Sequence, residues 1–490
     1  MMNYNRIKHK NCLISAVGKS SLHKSWIKEM CNFDIHLIVY DNSLYMFQED
    51  ADFICHIKGY KLKIIYKYLI DNPYLIEAYD FFFFPDDDIM MDSTTINTLF
   101  DTMCHYNLKI AQPALRMSYY SWPHTLYDRY CDLRYTNFIE MMVPCFSKVA
   151  LQKVLFTFNE NKTGWGTEFH WSLLINATPC DMAIIDKVSV VHTRPIQSGQ
   201  NIHKKDCAAY LRKFGLTAKV DCYNVMPTHS EYRYCCDKAT FIAVRNMLLQ
   251  WLNKEKISSL YIGEDGYLGY VHLLFLIANI TQSQKYADTA LELFEHIQDG
   301  LPNVKDDMSF MHGITGCCWL IEYLARENLL REDPQEILTE VDKYIQQYAK
   351  SNTRSLSIVE LAGIGRYYHA KFRNRPDLRN KEALHSIGKR MNAQFMQPQS
   401  FHDIRIALDA LEILNECGTD ICSPARSLER LIPQIGLSQV EHVYCLFRLY
   451  TITHDEHLHI FVRERMKNLV PQLMNLPDVL MLAEILYYKH

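Results

Sequence analysis

The sequence predicts two folds in one chain, a mixed α/β half followed by an all-helical half. Three observations carry this. Up to about residue 200, short apolar runs of β character alternate with amphipathic segments. Beyond about residue 240 the strand signal gives way to apolar spacing near 3.6. A length of 490 residues at 48% hydrophobic composition also exceeds what one core usually organises. The α/β domain is placed at 1–215, a linker at 216–240 and an all-helical domain at 241–490.

In the first half, strands are expected at Asn11 to Val17, Ile35 to Tyr40, Phe81 to Phe84, Lys109 to Ala114 and Val188 to His192. Amphipathic helices fall between them, at Tyr60 to Leu69 and Ser93 to Tyr106. Strand and helix in alternation predict a largely parallel sheet with ligands at the carboxyl ends of its strands. Gly199, Gly215 and Pro227, in a stretch of mixed polarity, mark the boundary. Helices then recur at Tyr286 to Ile297, Gly313 to Arg326, Pro334 to Ala349 and His402 to Asn415. Breakers at Gly300-Leu301-Pro302, Asp333-Pro334, Arg375-Pro376 and Ser423-Pro424 divide them into helical hairpins, stacked as a toroid or solenoid.

A formal net charge of −4 supplies no attraction to nucleic acid. No apolar run approaches the ~20 residues of a spanning helix, and Cys12 to Gly18 is too short for a secretory core. A cytoplasmic protein is expected. The sixteen cysteines are scattered, so reduced thiols are expected. The adjacent pairs Cys235-Cys236 and Cys317-Cys318 lack zinc-ribbon spacing and read as buried, inert thiols.

Chemistry concentrates in Tyr79-Asp80-Phe81-Phe82-Phe83-Phe84-Pro85-Asp86-Asp87-Asp88. Four consecutive aromatics predict a central strand buried on both faces. Three carboxylates at its end repel one another unless a cation compensates. Hard oxygen ligands suit Mg²⁺ or Mn²⁺, which also picks up substrate phosphates. In an extended segment Asp86 and Asp88 lean to one side while Asp87 points elsewhere. Asp86 and Asp88 are therefore the expected metal ligands. A solvated acidic turn capping the helix that starts near Ser93 is the alternative.

In Thr163-Gly164-Trp165-Gly166-Thr167-Glu168, two glycines permit a turn that presents the Trp165 indole to a ring-shaped ligand. Glu168 could then act as general base on an acceptor alcohol. Spacing alone does not separate this from a helix cap at Glu168 and simple packing of Trp165. At the end of Val188 to His192, His192 is a third candidate metal ligand, and Arg194 a partner for a diphosphate. Val17-Gly18-Lys19-Ser20 is not a Walker motif, because Leu13 stands where its first glycine would be. Gly18, Asp41, Asp87 and Arg194 are the expected nucleotide-contacting residues.

Tyr79-Asp80 ahead of the acidic run, Ala111-Gln112-Pro113-Ala114-Leu115, Phe138-Ile139-Glu140-Met141-Met142-Val143-Pro144-Cys145-Phe146-Ser147, Gly164-Trp165-Gly166 and Val191-His192 occur in this order. Over roughly residues 55 to 200 this series resembles a large plant and bacterial family, once labelled lysine-ketoglutarate-reductase trans-splicing-related and regarded as glycosyltransferase-like. The resemblance implies a GT-A-like nucleotide-diphospho-sugar transferase fold, with Asp86-Asp87-Asp88 in the place of an Asp-x-Asp motif. The chain departs from the family in having three aspartates where a mixed Asp/Glu cluster is usual, and Glu168 where an Asp is usual. More weakly, Gly266-Tyr267-Leu268-Gly269, Met311-His312-Gly313-Ile314-Thr315-Gly316 and Leu361-Ala362-Gly363-Ile364-Gly365 resemble lanthionine-synthetase-C-like α/α toroids. Their small residues let helices pack closely. The zinc-binding Cys and Cys-His pair of that family have no counterparts here, which implies a toroid that binds a peptide or partner without metal.

The expected function is therefore metal-dependent sugar transfer from a nucleotide-diphosphate sugar to a peptide or glycan acceptor. A non-catalytic accessory or binding protein for peptide modification is the second reading. A two-domain structural protein without ligand is the third.

Overall fold

The computed structural model describes residues 7–27, 30–195, 200–227, 236–254, 267–300, 306–310, 312–327, 333–350, 356–394, 398–469 and 476–487. Gly199, Cys235, Gly266, Leu301, Pro302 and Met311, named above, lie outside them. The chain divides into two compact units, Met1–Glu231 and Tyr232–His490.

The first unit is a mixed sheet with helices. Its strands are β1 (Asn11–Val17), β2 (Phe33–Val39), β3 (Phe53–His56), β4 (Phe81–Phe83), β5 (Ile89–Met90), β6 (Ile110–Leu115), β7 (Cys131–Thr136), β8 (Cys145–Ser147), β9 (Met182–His192) and β10 (Cys222–Pro227). The sheet order is β10-β7-β9-β6-β8-β4-β1-β2-β3, with β5 pairing β9 off this path. Its helices are α1 (Lys61–Asp71), α2 (Tyr74–Ala78), α3 (Ser93–His105), α4 (Lys148–Val154), α5 (Glu168–Leu174) and α6 (Gln200–Phe214).

The expectation of a largely parallel sheet holds on one side only. Strands β4, β1, β2 and β3 run parallel, as do β6 and β9. By contrast, β8 is antiparallel to both β4 and β6, and β7 to both β9 and β10. A three-residue strand such as β8 is too short for periodicity to register in sequence. The 216–240 stretch, expected to be a linker, contributes β10 to the sheet.

Alternation along the strands explains the layers. Cys12, Ile14 and Ala16 of β1 join Phe82 and Phe84 in one apolar core, with Leu62 and Ile65 of α1. Leu13 and Val17 join Phe83 in the other, with Leu99 and Phe100 of α3. The aromatic run is thus buried on both faces, as side chains of period two require.

The second unit contains helices α7 (Lys238–Lys254), α8 (Tyr267–Thr281), α9 (Gln284–Gly300), α10 (Ile314–Arg326), α11 (Pro334–Lys350), α12 (Ile358–Asn374), α13 (Leu378–Gln394), α14 (Phe401–Glu416), α15 (Cys422–Leu431), α16 (Gln439–Thr453), α17 (Glu456–Lys467) and α18 (Leu476–Tyr487). Helices α8, α10, α12, α14, α16 and α18 each touch the next, and α18 returns to α8, closing a ring. Each of α9, α11, α13, α15 and α17 packs on the ring helix before it. The sequence sorts them: α8 is apolar almost all round, while α11 and α15 carry one apolar stripe.

Glycine makes one junction possible. A Cβ on Gly316 would lie 2.2 Å from the Phe310 carbonyl, and one on Gly363 2.3 Å from that of Met308. Thr315 Oγ1 donates to the carbonyls of Met308 (3.1 Å) and Ser309 (3.0 Å). The Met308–Phe310 segment is thereby seated between α10 and α12. Among the described residues no helix is long and apolar enough to cross a membrane.

Candidate active site: a carboxylate-lined cleft

Strands β1, β2 and β4 run parallel, so their carboxyl ends share one edge of the sheet. Gly18 follows β1, Tyr40 and Asp41 follow β2, and Asp86, Asp87 and Asp88 follow β4. Strand β5 then pairs antiparallel with the end of β9, setting Ile89 opposite His192. Thr193 fastens this junction, its N–H (3.1 Å) and hydroxyl (2.8 Å) both donating to the Asp88 carbonyl. His192 is therefore carried to the acidic turn by strand pairing, although more than a hundred residues separate them.

The turn divides its three carboxylates. Asp87 Oδ2 accepts from Gly18 N–H (2.9 Å) and the Tyr40 hydroxyl (3.0 Å), and Oδ1 from Arg194 Nη1 (3.3 Å). Asp86 pairs with Lys61 Nζ at 2.6 Å. Lys61 also donates to the carbonyls of Met141 (2.8 Å) and Met142 (2.9 Å). Asp88 Oδ2 faces His192 Nε2 at 3.3 Å, while its Oδ1 is buried with no partner among the described residues. Ligand atoms of Asp86, Asp88 and His192 lie within 4.8 Å of one another, the one such group among the described residues. The capping alternative falls to a different residue: Asp92 accepts from Thr95 N–H and caps α3.

The electrostatics match this geometry. Burial lifts the Asp86 carboxyl above its ordinary value, against the pull of Lys61. Burial likewise lifts Asp87. In Asp88 the effect of burial is outweighed by the hydrogen bond and charge of His192, so its carboxyl sits below the ordinary value. His192 is raised, because the Asp88 bond and charge outweigh burial. His192 Nδ1 is 2.8 Å from the Tyr119 carbonyl and must donate to it, so Nε2 is the atom turned to the carboxylates. That arrangement needs either a proton or a cation at Nε2, and a carbonyl-anchored imidazole is the usual posture of a metal-binding histidine.

These residues open on a cleft of about 420 Å³, within the range of small-molecule sites. Asp86, Asp87, Asp88, Trp165, Glu168, His192 and Arg194 all line it, whereas Gly18 and Asp41 do not. Gly18 acts one step back, since a Cβ there would meet the Tyr40 ring at 2.5 to 2.8 Å. Asp41 closes its own turn, accepting from Lys19 N–H (2.8 Å) and Ser43 N–H (2.9 Å). Arg194 spans Asp87 and the Ser20 carbonyl.

The glycine–tryptophan turn has the expected backbone, with φ of +85° at Gly164 and +97° at Gly166. Asn161 ties it down, donating to the Trp165 carbonyl (2.7 Å) and accepting from Gly164 N–H (2.6 Å). Trp165 is half-buried, tilted against His203 at 5.0 Å. Glu168 is the first residue of α5, accepts from Gly166 N–H at 2.7 Å in the preceding turn, and lines the cleft. Burial pushes its carboxyl up to about 7.

Several cleft residues escaped the sequence reasoning, among them Tyr40, Lys61, Trp122, Glu140 and His203. Glu140 is 4% exposed, its N–H donates to Gln112 Oε1 (2.7 Å), and Oε2 has no partner among the described residues. Burial first, then the neighbouring Glu168, pushes it up to about 8. Its signal was legible as a lone acid inside the apolar run Phe138 to Val143. Lys61 had no such signal, being one of two lysines at the start of an amphipathic helix.

The described cysteines are all free; burial pushes the Cys317 thiol up to about 12 and lifts that of Cys318 well above its ordinary value. Comparison with known proteins matches parts of the chain to solved structures and to one family model. No curated protein matches the chain. Among solved structures, that of S. aureus TarS matches at 11% identity and a TM-score of 0.30, over 41% of this chain. The chain spans 40% of the length of that structure. The sequence model of the lanthionine synthetase C-like protein family matches residues 259–394, so that part of the helical unit is similar to those proteins.

Proposed function

We propose that the first unit is a GT-A-like glycosyltransferase domain that binds a nucleotide-diphosphate sugar with Mn²⁺ or Mg²⁺ and transfers the sugar to an acceptor hydroxyl. One observation carries this reading. Asp88 offers a buried, unpartnered oxygen beside Asp86 and His192, all within 4.8 Å, on a cleft lined by five carboxylates. The donor set of two carboxylates and one imidazole fits such an ion. When bound, the ion would neutralise charge developing on the diphosphate leaving group.

The chain's own residues account for the rest. Lys61 balances Asp86, and Arg194 is half-exposed beside Asp87, where it can reach a phosphate oxygen. Glu168, held near neutrality by burial, is suited to take the proton of an acceptor hydroxyl. Trp165 positions that acceptor. The helical unit, as an α/α toroid, would present or recognise it. An accessory role in peptide modification is the second reading, favoured by the family match over residues 259–394.

Thermal unfolding with Mn²⁺ and a panel of nucleoside diphosphates tests the proposal, since a ligand confined to the folded state raises its stability. The expected result is a rise in Tm that requires metal and nucleotide together and vanishes in Asp88→Asn. No shift with any pair, or an equal shift in Asp88→Asn, would overturn it.

A further inference from the structure

Beside the metal-ligand group, the same cleft is lined by two half-buried tryptophans, Trp122 and Trp165. Trp122 is fixed against Phe138 at 5.0 Å and edge-on to Phe169 at 5.5 Å. Trp165 rests on His203, which also lines the cleft. Two further residues of this lining each carry a buried polar atom without a partner among the described residues, Glu140 Oε2 and His203 Nδ1. Glu140 itself is 4% exposed, so Oε2 cannot be satisfied by bulk water. Burying such atoms unpaired costs free energy, which a ligand can recover.

The missing partner must present an apolar face to flat indoles and small polar groups to a carboxyl and an imidazole. A hydroxyl both donates and accepts, so it satisfies either tautomer of His203 and either protonation state of Glu140. A planar base would stack but carries no hydroxyls. An extended peptide would seek a free strand edge. The geometry points to a subsite, formed by Trp122, Trp165, Glu140 and His203, for a saturated, hydroxyl-rich ring, that is, a sugar residue. This rests on the transferase reading above, in which such a ring arrives as the transferred group or as part of the acceptor.

Saturation-transfer NMR on the full chain tests it, with free mono- and trisaccharides of hexose, N-acetylhexosamine and pentose type, and a serine-containing pentapeptide as control. Ring-proton signals from a free saccharide without nucleotide would assign the subsite to the acceptor. Tighter binding of a nucleotide sugar than of its nucleoside diphosphate, in Mn²⁺, would assign it to the donor. In either case affinity should fall at least tenfold in Glu140→Gln and in Trp165→Ala. His203→Phe decides the matter should Glu140→Gln fail to fold. No saccharide or sugar-dependent signal, a signal from the peptide alone, or unchanged affinity in the folded variants would overturn the subsite. A wild-type metal–nucleotide shift without any saccharide signal removes the subsite and leaves the transferase reading; saccharide binding without that shift does the reverse.

Discussion

Glu168→Gln separates what a buried base does for chemistry from what it costs the fold. The side chain is 4% exposed and accepts a hydrogen bond from Gly166 N–H, a bond an amide oxygen can still accept. Burial lifts its carboxyl from an ordinary 4.5 to about 7. An acid held above its unfolded value binds its proton more tightly when folded, so its contribution to stability is full below pH 4.5 and is lost as pH rises through 7. At about 1.4 kcal/mol per pH unit, that interval is worth about 3 kcal/mol. Glutamine does not titrate. Relative to the variant, the wild type should therefore lose about 3 kcal/mol between pH 4.5 and 8.5, while transferase turnover in the variant falls ~10²-fold or more. Urea unfolding followed by tryptophan fluorescence reads this, because Trp26, Trp122, Trp165 and Trp171, four of the six tryptophans, lie in the first unit. A wild-type-minus-variant difference flat in pH would refute the buried-base argument.

Two further substitutions probe each unit by itself. Gly363→Ala places a methyl 2.3 Å from the Met308 carbonyl and 2.8 Å from Phe310 N, so the gain in helix propensity is outweighed by overpacking; a net loss of about 2 kcal/mol is expected in the second unit's unfolding transition, with the first unit's unchanged. Arg134 grips Asp186 bidentately at 2.7 and 2.8 Å, and the Asp186 side chain is wholly buried. Arg134→Ala should cost about 3–5 kcal/mol by urea unfolding. Burial already lifts Asp186 to about 6 against the pull of Arg134. Without that pull it rises further, so the deficit should be larger at pH 8 than at pH 5; equal deficits would count against a stranded charge.

Local pattern alone carried much of this molecule. The apolar run behind Asn11 to Val17 yields a strand with the predicted ends, and the spacing from Pro334 to Ala349 yields α11 to within one residue. These signals are local because side chains repeat every two residues on a strand and every 3.6 on a helix. The separation of Asp87 from Asp86 and Asp88, expected from an extended segment, instead arises in a turn, where Gly18, Tyr40 and Arg194 take up Asp87. Tertiary structure decided the remainder. Nothing near Lys61 in sequence announces Asp86, and nothing near Glu140 announces that it shares a cleft with His203. Only strand order brings the ends of β1, β2 and β4 together, and only the β5–β9 pairing delivers His192 to Asp88. Short antiparallel strands such as β8 carry no periodic signature, and the closed ring of six helices depends on α18 meeting α8 across most of the second unit. Sequence thus determined which residues form each element and which face is apolar. The pairing of distant elements, a sum of many weak contacts between segments far apart in the chain, determined which charges meet in the cleft.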